Sequence, residues 1–499
     1  MQIFIDGIGF LYLLTIIGLA LYGLNSIITV ALYLYRRKNS KKCENAPSPT
    51  AWPSVTIQLP IYNERYTVSR LMKAVTHLDY PPEKLQIQIL DDSTDDTTKL
   101  VNKLVKDYRA KGIKNIVRLH RNSREGYKAG ALSDGLERAT GELIAIFDAD
   151  FVPKPDWLKK TVPLFQNPKL GCLQTRWGHT NRLYNSLTLA EAMAIDGHFI
   201  VEQTVRSQND LFLNFNGTAG IWRRACIEDA GGWQWDTLTE DLDLSYRAQM
   251  RGWKIGYLSD VVVPAELPSQ VEAFKKQQFR WAKGSFQVVR KILPAVFGQS
   301  DLPWKVRLMA LLHLTGYFVH PLMLGSLLLT LPVGLLIPDA FKLFPISVFT
   351  ALGPPLLYAV ANSPQTPPLL ERLKTIPILT LTGFGISLST SIAVLQGLTK
   401  KGGKFVRTPK LNLGNGHTQN AGIDRRYLPP ISPIVWAEIV LGIYALITTI
   451  VLKHYVGWGI TPWMAIYTLG YFYVAGLNII QHESAAISSR LSPDKSTER

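Results

Sequence analysis

Acidic residues follow two apolar runs of the sequence. One run ends in a cluster at residues 91–96 that begins with Asp91 and Asp92, and the other ends in Asp148-Ala149-Asp150. A carboxylate at a strand end can coordinate a hard cation or accept hydrogen bonds from a ribose or a base. The alternatives are a loop with a helix N-cap for the first cluster and a solvated turn for the second. An Asp-x-Asp triplet is only a weak indication of function unless other motifs accompany it.

Two further motifs accompany the triplet. Thr239-Glu240-Asp241 precedes a helix-like run at residues 242–251, and the sequence QQFRW follows at residues 277–281. An alternative role for Glu240 and Asp241 is to complement the dipole of the helix that follows them. The ordered set of motifs is much more specific than any one of them.

These motifs fall in a stretch, residues 55–297, that has no run long enough to span a membrane. Apolar runs at 55–60, 86–90, 116–119 and 143–147 predict buried strands, and residues 95–111 and 127–138 predict helices. Strands that alternate with helices predict an α/β fold with a mostly parallel sheet covered on both faces. Such sheets bind ligands at the carboxyl ends of their strands, where the acidic clusters lie.

The composition indicates a soluble domain combined with membrane spans. The 499 residues exceed one ordinary core, 47% are hydrophobic, and the mean hydropathy is +0.07. A net charge of +16 favours an anionic membrane surface and a nucleotide diphosphate as partners over nucleic acid. Cys43, Cys172 and Cys226 have no metal-site or disulfide spacing, which predicts a reducing compartment.

Apolar runs flank the α/β stretch. The first, at residues 8–35, precedes a basic cluster, which predicts a retained span with a cytosolic carboxyl end. Five more runs lie at 308–337, 345–361, 376–398, 434–452 and 462–480. If all five crossed, the basic loop at 400–410 would lie on the side of the membrane opposite the α/β stretch. We therefore expect 376–398 to be interfacial or re-entrant, which leaves about five spans; alternatively, Pro354 and Pro355 break the preceding run.

The predicted organisation has five parts. They are an N-terminal transmembrane helix (1–38), a linker (39–54), a cytosolic domain (55–300), transmembrane and interfacial helices (301–483) that include a loop at 400–412, and a tail (484–499). We expect a multi-pass protein of the plasma membrane or an inner membrane.

The order of the motifs, together with PIYNE at 60–64 and GYKAG at 126–130, resembles the inverting, membrane-integrated family 2 glycosyltransferases of the cellulose synthase superfamily. The resemblance is greatest to the cellulose-synthase-like glucomannan synthases of plants. It is dense over residues 55–290 and loose in the membrane part. It implies a GT-A-type, Rossmann-like domain joined to a helical membrane bundle.

The resemblance implies a donor site for a nucleotide sugar. The residues that would hold its base, ribose and diphosphate are Tyr62, Glu64, Asp91, Asp92, Lys128 and Asp148. Asp150 would ligate Mg²⁺ or Mn²⁺, and Asp148 would contact the ribose or the metal. Core packing is the alternative role for Tyr62.

The resemblance also implies the catalytic and acceptor residues. Asp241 would be the general base, with Glu240 and Gln277 beside it. Arg280 would stabilise the leaving diphosphate, and Trp281 would offer an indole face to the acceptor sugar. The segment Phe215, Asn216, Gly217 and Thr218 would cradle the acceptor, although cellulose synthases carry Cys where Asn216 stands.

Residues 405–410 are similar to the gating loop of the superfamily, FxVTxK, with Arg407 in place of Val. Thr408 and Lys410 would reach the diphosphate. The alternative is a basic loop that lies on anionic lipid.

Three functions are compatible with these motifs. The first is a processive β-glycan synthase, cellulose- or mannan-like, whose spans form a channel. The second is a glycolipid glucosyltransferase that acts on diacylglycerol or ceramide. The third, a transporter or receptor with a degenerate enzyme domain, is disfavoured because every motif carboxylate is present and the spans have almost no central charges. For the donor, the sequence narrowly favours UDP-glucose over GDP-mannose.

Overall fold

The structure is a computed structural model that describes residues 1–39, 49–343, 351–364, 366–403, 405, 407–414 and 430–491. Parts of four predicted features lie outside the described residues. They are the linker from residue 40 to 48, the apolar run from 345 to 350, Val406 of the gating-like segment, and the tail from 492 onward.

A seven-stranded mixed sheet forms the centre of the catalytic domain, in the order β3-β2-β1-β4-β6-β5-β7. The strands are β1 (Val55–Ile61), β2 (Leu85–Asp91), β3 (Ile116–His120), β4 (Leu143–Ile146), β5 (Leu170–His179), β6 (Gly220–Arg223) and β7 (Lys254–Ala265). Only β6 runs antiparallel to its neighbours; all other pairs are parallel. The predicted α/β class and mostly parallel sheet are confirmed.

Helices cover both faces of this sheet, as expected when apolar strands are buried on two sides. The first helix, α1 (Gln2–Asn39), packs against membrane helices instead. The helices that follow it up to residue 298 are, in chain order, α2 (Val68–Thr76), α3 (Thr97–Ala110), α4 (Tyr127–Glu137), α5 (Trp157–Thr161), α6 (Ser186–Asp196), α7 (Thr204–Gln208), α8 (Arg224–Asp229), α9 (Glu240–Met250) and α10 (Val271–Gly298). A π-helical turn, Gly197–Gln203, joins α6 to α7. One core contains Leu71 and Val101, and a second core, on the opposite face, contains Leu132 and Leu244.

The remaining helices form the membrane part. They are α11 (Trp304–Leu314), α12 (Val319–Leu336), α13 (Gly353–Val360), α14 (Leu369–Gly385), α15 (Ser387–Thr399), α16 (Ile434–Tyr455) and α17 (Thr461–Leu491). Within the described residues, four helices are long and apolar enough to cross a membrane: Gln2–Arg36, Gly316–Leu336, Ile434–Tyr455 and Trp458–Glu483. The pair α14 and α15, bent by 50°, makes five if it forms one broken span.

Helix α10 joins the catalytic domain to the membrane helices. Its Ala282 and Phe286 pack against Ala393 and Val394 of α15. Near its start, Lys275 Nζ lies 2.6 Å from Glu438 Oε1 of α16, and both side chains are buried. A buried ion pair adds little net stability, because the cost of removing both charges from water offsets their attraction. This contact links the start of α10, which carries residues 277–281, to the membrane helices.

Candidate active site

A cleft opens where β1, β2 and β4 end, as predicted for a sheet of this type. Helix α9, the first turns of α10 and the segment 405–410 close its other sides. The predicted site residues that line it are Tyr62, Glu64, Asp92, Lys128, Asp148, Asp150, Asn216, Gly217, Glu240, Asp241, Gln277, Arg280, Trp281, Thr408 and Lys410. The structure thus brings together motifs that are separated by more than 300 residues in the sequence.

Asp91, Phe215 and Thr218 do not line the cleft, and each supports it from behind. Asp91 is fully buried and pairs with Arg118, whose Nη2 lies 2.7 Å from Asp91 Oδ2. Phe215 packs edge-on against Trp222 in the core. The Thr218 hydroxyl accepts a hydrogen bond of 2.8 Å from the Asp148 backbone N–H. These three residues therefore lie behind the side chains that line the cleft.

At the nucleotide end, two arginines that no motif indicated engage the predicted residues. Arg121 donates two hydrogen bonds to Asp92, of 2.8 Å and 2.5 Å. The Arg124 guanidinium lies over the Tyr62 ring, 3.3 Å from its centroid. This distance corresponds to a cation–π contact. The Arg124 guanidinium therefore covers one face of the Tyr62 ring.

Lys128 connects the donor and acceptor sides of the cleft. It lies in the first turn of α4, directly after Gly126 and Tyr127, which both have positive φ angles. Its Nζ is 2.5 Å from Asp148 Oδ1 and 2.9 Å from the Gly217 carbonyl oxygen. Burial lowers the pKa of Lys128, but Asp148, Glu240 and Asp241 outweigh that effect and raise it above the usual value. Lys128 is thus a fixed cation in the centre of the cleft.

Asp241 is one of three acidic residues in the first turn of α9, and it lines the cleft. Burial and the adjacent Glu240 raise the pKa of Asp241 to about 7, against the lowering effect of Lys128. Such a pKa suits a general base that works near neutrality. Gly217 faces this carboxylate with φ of +82°, and a Cβ there would lie 2.9 Å from Asp241 Oδ2. The glycine therefore allows the segment at 215–218 to approach the Asp241 carboxylate.

Arg280 and Trp281 reach the cleft from α10. Burial lowers the pKa of Arg280, while Glu240, Asp148 and Asp241 oppose this change, and guanidinium remains charged in such surroundings. Its Cζ is 4.4 Å from the ring centroid of Phe405. Gln277, one turn earlier, is buried and its Oε1 has no hydrogen-bond partner in the part of the chain that the structure describes.

The gating-like segment lies over the donor end of the cleft. Arg407 Nη1 is 3.4 Å from Glu64 Oε1 and also donates to the Asn63 carbonyl oxygen. Burial raises the pKa of Glu64 to about 7, although Arg407 lowers it. Lys410 Nζ is 3.1 Å from Asp150 Oδ2. The Arg at position 407, which departs from the superfamily pattern, therefore has a specific carboxylate partner.

Asp148 and Asp150 are suitable ligands for a hard divalent cation. Both line the cleft, and their oxygens are the ligand type that Mg²⁺ and Mn²⁺ take. Each carboxylate already holds a lysine ammonium in this structure, so each is placed to bind positive charge. Within the described residues, no three His, Cys, Asp or Glu side chains are grouped to hold a metal by themselves. A metal held by Asp148 and Asp150 would take its other ligands from water or from a bound diphosphate.

Comparisons with known proteins agree with these motifs. A family model described as "Glycosyltransferase like family 2" matches residues 53–284. A "probable glucomannan 4-beta-mannosyltransferase 3" of Oryza sativa subsp. japonica is 37% identical over 73% of this chain and 66% of its own length. A "glucomannan 4-beta-mannosyltransferase 2" of Arabidopsis thaliana is 36% identical over 80% of this chain and 77% of its own.

Among solved structures, a mannosyltransferase from Pyrobaculum calidifontis, in complex with GDP-Man and Mn²⁺, is similar with a TM-score of 0.49 and 21% sequence identity. The similarity covers 78% of this chain and 99% of that chain.

Proposed function

This chain belongs to the family 2 glycosyltransferases, and from that premise we propose that it polymerises a β-linked mannan or glucomannan from GDP-mannose. The reaction is an inverting transfer that depends on a divalent metal, and the catalytic domain faces the cytosol. The observation that carries the proposal is the single cleft in which Asp148, Asp150 and Lys128 lie beside Asp241. Donor chemistry and acceptor chemistry are thus placed within reach of one sugar.

The roles of the residues follow from this arrangement. Asp241 takes the proton of the acceptor hydroxyl while that oxygen attacks the anomeric carbon, and the bond to the diphosphate breaks on the opposite side. Arg280, Lys128 and Lys410 offset the negative charge on the departing nucleotide. When bound at Asp148 and Asp150, Mg²⁺ or Mn²⁺ supplies Lewis-acid stabilisation of the diphosphate.

GDP-mannose is proposed as the donor because the relatives are named as mannosyltransferases along most of this chain's length. The narrow preference for UDP-glucose expected from the sequence has no support from these relatives. A direct test is competition binding of GDP-mannose and UDP-glucose to the purified chain with Mn²⁺. Tighter binding of GDP-mannose supports the assignment, and tighter binding of UDP-glucose contradicts it.

Polymer synthesis is favoured over transfer to a glycolipid. The relatives are named for a polysaccharide product, and we propose a polar route from the cleft toward the membrane helices. On this route, His198 Nε2 is 3.1 Å from Asn216 Oδ1, and the Tyr317 hydroxyl donates a hydrogen bond of 3.2 Å to Gln278 Oε1. Tyr358 packs against Gly197 at its edge.

Buried hydrogen-bonding atoms along this route support passage of a glycan. Among the described residues, both Glu191 carboxylate oxygens, Gln277 Oε1 and His320 Nδ1 are buried without a hydrogen-bond partner. Buried polar atoms are normally satisfied, and the hydroxyl groups of a sugar chain can satisfy them. We therefore propose that the growing chain leaves between α6, α12 and the start of α10.

Replacing Trp281 with alanine is expected to shorten the polymer more than it weakens donor binding. The indole face holds the acceptor between rounds of addition, so its loss lets the chain dissociate early. Product length is measured by gel filtration, and donor affinity by calorimetry. Trp281→Phe, which keeps an aromatic face, should retain longer products. A variant that changed donor affinity alone would contradict the acceptor role.

The loop at 400–410 is expected to face the same side of the membrane as the catalytic domain. In the structure, the Gln287 amide donates to the carbonyl oxygens of Lys400 and Gly402, which holds the loop on this domain. Single cysteines at the exposed positions Lys401 and Lys103 should react with an impermeant thiol reagent from one side, in a background with Cys43 replaced by serine. Cysteine at Tyr455, at the far end of α16, should react from the other side. Opposite-side labelling of positions 401 and 103 would refute the gating role.

A further inference from the structure

Glu266, which directly follows β7, links the proposed metal ligand Asp150 to the gate segment, defined as residues 407–413. Its backbone N–H donates to Asp150 Oδ2 over 3.0 Å. Its carbonyl oxygen accepts a hydrogen bond from Lys410 Nζ. Its carboxylate accepts the backbone N–H groups of Leu411 and Leu413, over 2.7 Å and 3.2 Å. All three polar groups of one residue are therefore used at this junction.

Arg70 supports the same junction from α2. Its Nη1 donates to Asn412 Oδ1 over 2.6 Å, and its Nη2 donates to the Asp150 carbonyl oxygen over 3.2 Å. Nη2 also lies 3.9 Å from Glu266 Oε2. Asn412 has φ of +61°, in the left-handed region, which asparagine adopts more readily than most residues. This turn points the N–H groups on both sides of Asn412 at the Glu266 carboxylate.

The contacts at Glu266 are of a kind that fixes a loop. A carboxylate that accepts two backbone N–H groups makes charge-assisted hydrogen bonds, which are the stronger class. Glu266 is 3% exposed, so these bonds have little competition from water. The residue also continues the end of a twelve-residue strand, whereas the gate segment has no helix or strand of its own. The end of β7 is therefore the rigid side of this contact, and it positions the gate segment.

We propose that Glu266 is the positioning residue that docks the gate segment and sets Lys410 beside Asp150 at the donor diphosphate. This role rests on the proposed function of the cleft. In this role Glu266 acts through the backbone of Leu411 and Leu413 and through Lys410, rather than by binding the sugar or the diphosphate. Thr408, whose buried hydroxyl has no hydrogen-bond partner among the described residues, is carried to the donor by the same docking.

The test compares Glu266→Ala, Glu266→Gln and Lys410→Ala in the full-length chain in nanodiscs. Hydrogen exchange of peptides that cover residues 407–413 reports docking without any activity. We expect exchange there to accelerate about tenfold or more in Glu266→Ala. Glu266→Gln keeps one acceptor oxygen and should give a smaller increase. Glu272→Gln, a buried glutamate of α10 that bonds Asn478, is the matched control and should leave these amides unchanged.

A kinetic comparison separates positioning from general destabilisation. If Glu266 acts through Lys410, the Glu266→Ala and Lys410→Ala variants each lower kcat/KM for the donor, and the double variant loses little more than Lys410→Ala does. If the double variant lost kcat/KM by the product of the two single losses, the proposal would be overturned. Unchanged hydrogen exchange at residues 407–413 in Glu266→Ala would overturn it as well. Accelerated exchange in a chain that transfers no sugar would keep the docking role and instead refute the proposed function. If Glu266→Ala does not fold, Glu266→Gln decides between the same outcomes.

Discussion

Replacing Asp241 by asparagine is expected to lower the turnover number about 10²–10⁴-fold, the range that a positioned general base contributes. Asparagine keeps the size and most of the hydrogen bonding of the side chain but cannot accept the proton. Donor and metal binding should survive, because they are assigned to Tyr62, Lys128 and Asp150. Steady-state kinetics and calorimetric binding of the donor measure the two effects separately.

The pH dependence of transfer is a second test of the role of Asp241. Transfer needs the ionised form of Asp241, and burial with the adjacent Glu240 raises its pKa to about 7. In the wild-type chain, kcat/KM should therefore rise as the pH increases through about 7 and level off above it. This rise should be absent from Asp241→Asn.

Glu240→Gln is the comparator for Asp241. It lies in the same buried first turn of α9, and its pKa is also raised by burial, so it controls for the loss of one negative charge beside Lys128. We expect a smaller loss of turnover than for Asp241→Asn. Near-normal turnover in Asp241→Asn would move the base to Glu240. An equal loss of nucleotide binding and turnover would make Asp241 a structural or metal-site residue.

Chelation of divalent metal is expected to abolish transfer, and Mn²⁺ or Mg²⁺ is expected to restore it. Lewis-acid stabilisation amounts to several kcal/mol, and about 1.4 kcal/mol corresponds to a factor of ten in rate, so the loss is on the order of 10²–10⁴-fold. Sugar transfer is measured with EDTA in excess and after the metal is added back. Full activity in excess EDTA would show that transfer does not need a divalent metal.

Variants at two aspartates refine the metal assignment. Asp150→Asn weakens an oxygen ligand, so it should raise the Mn²⁺ concentration needed for half-maximal activity. Asp156→Asn removes a half-exposed carboxylate that pairs with Lys160 outside the cleft and should leave that concentration unchanged. If both variants raised the Mn²⁺ concentration needed for half-maximal activity to the same degree, the effect would not be local to the cleft.

The first half of the fold could be predicted because its signals are local. The apolar run at 55–60 predicted β1, and the structure has Val55–Ile61; residues 95–111 predicted a helix, and the structure has Thr97–Ala110. Burial on both faces makes such strands continuously apolar, and carboxylates follow where they end. The later strands β5, β6 and β7 and the antiparallel direction of β6 come from pairings that no short stretch encodes.

Cleft residues that belong to a sequence motif could be predicted. Residues that are placed by contacts between distant parts of the chain could not. Asp91 and Asp92 are neighbours, but Arg118 binds the first in the interior while the second lines the cleft. Glu266 belongs to no motif, and its role depends on Leu411 and Leu413, about 145 residues farther along. Arg124 also belongs to no motif, because its position over Tyr62 depends on the turn before α4.

The product formed from GDP-mannose is the most direct test of the central claim. Purified chain in nanodiscs is incubated with Mn²⁺ and GDP-mannose labelled with ¹³C, and the product is analysed by NMR for its anomeric configuration and by gel filtration for its length. We predict β-linked mannose in a polymer that organic solvent does not extract. A solvent-extractable product with a single sugar, an α linkage, or a polymer formed only from UDP-glucose would contradict the account.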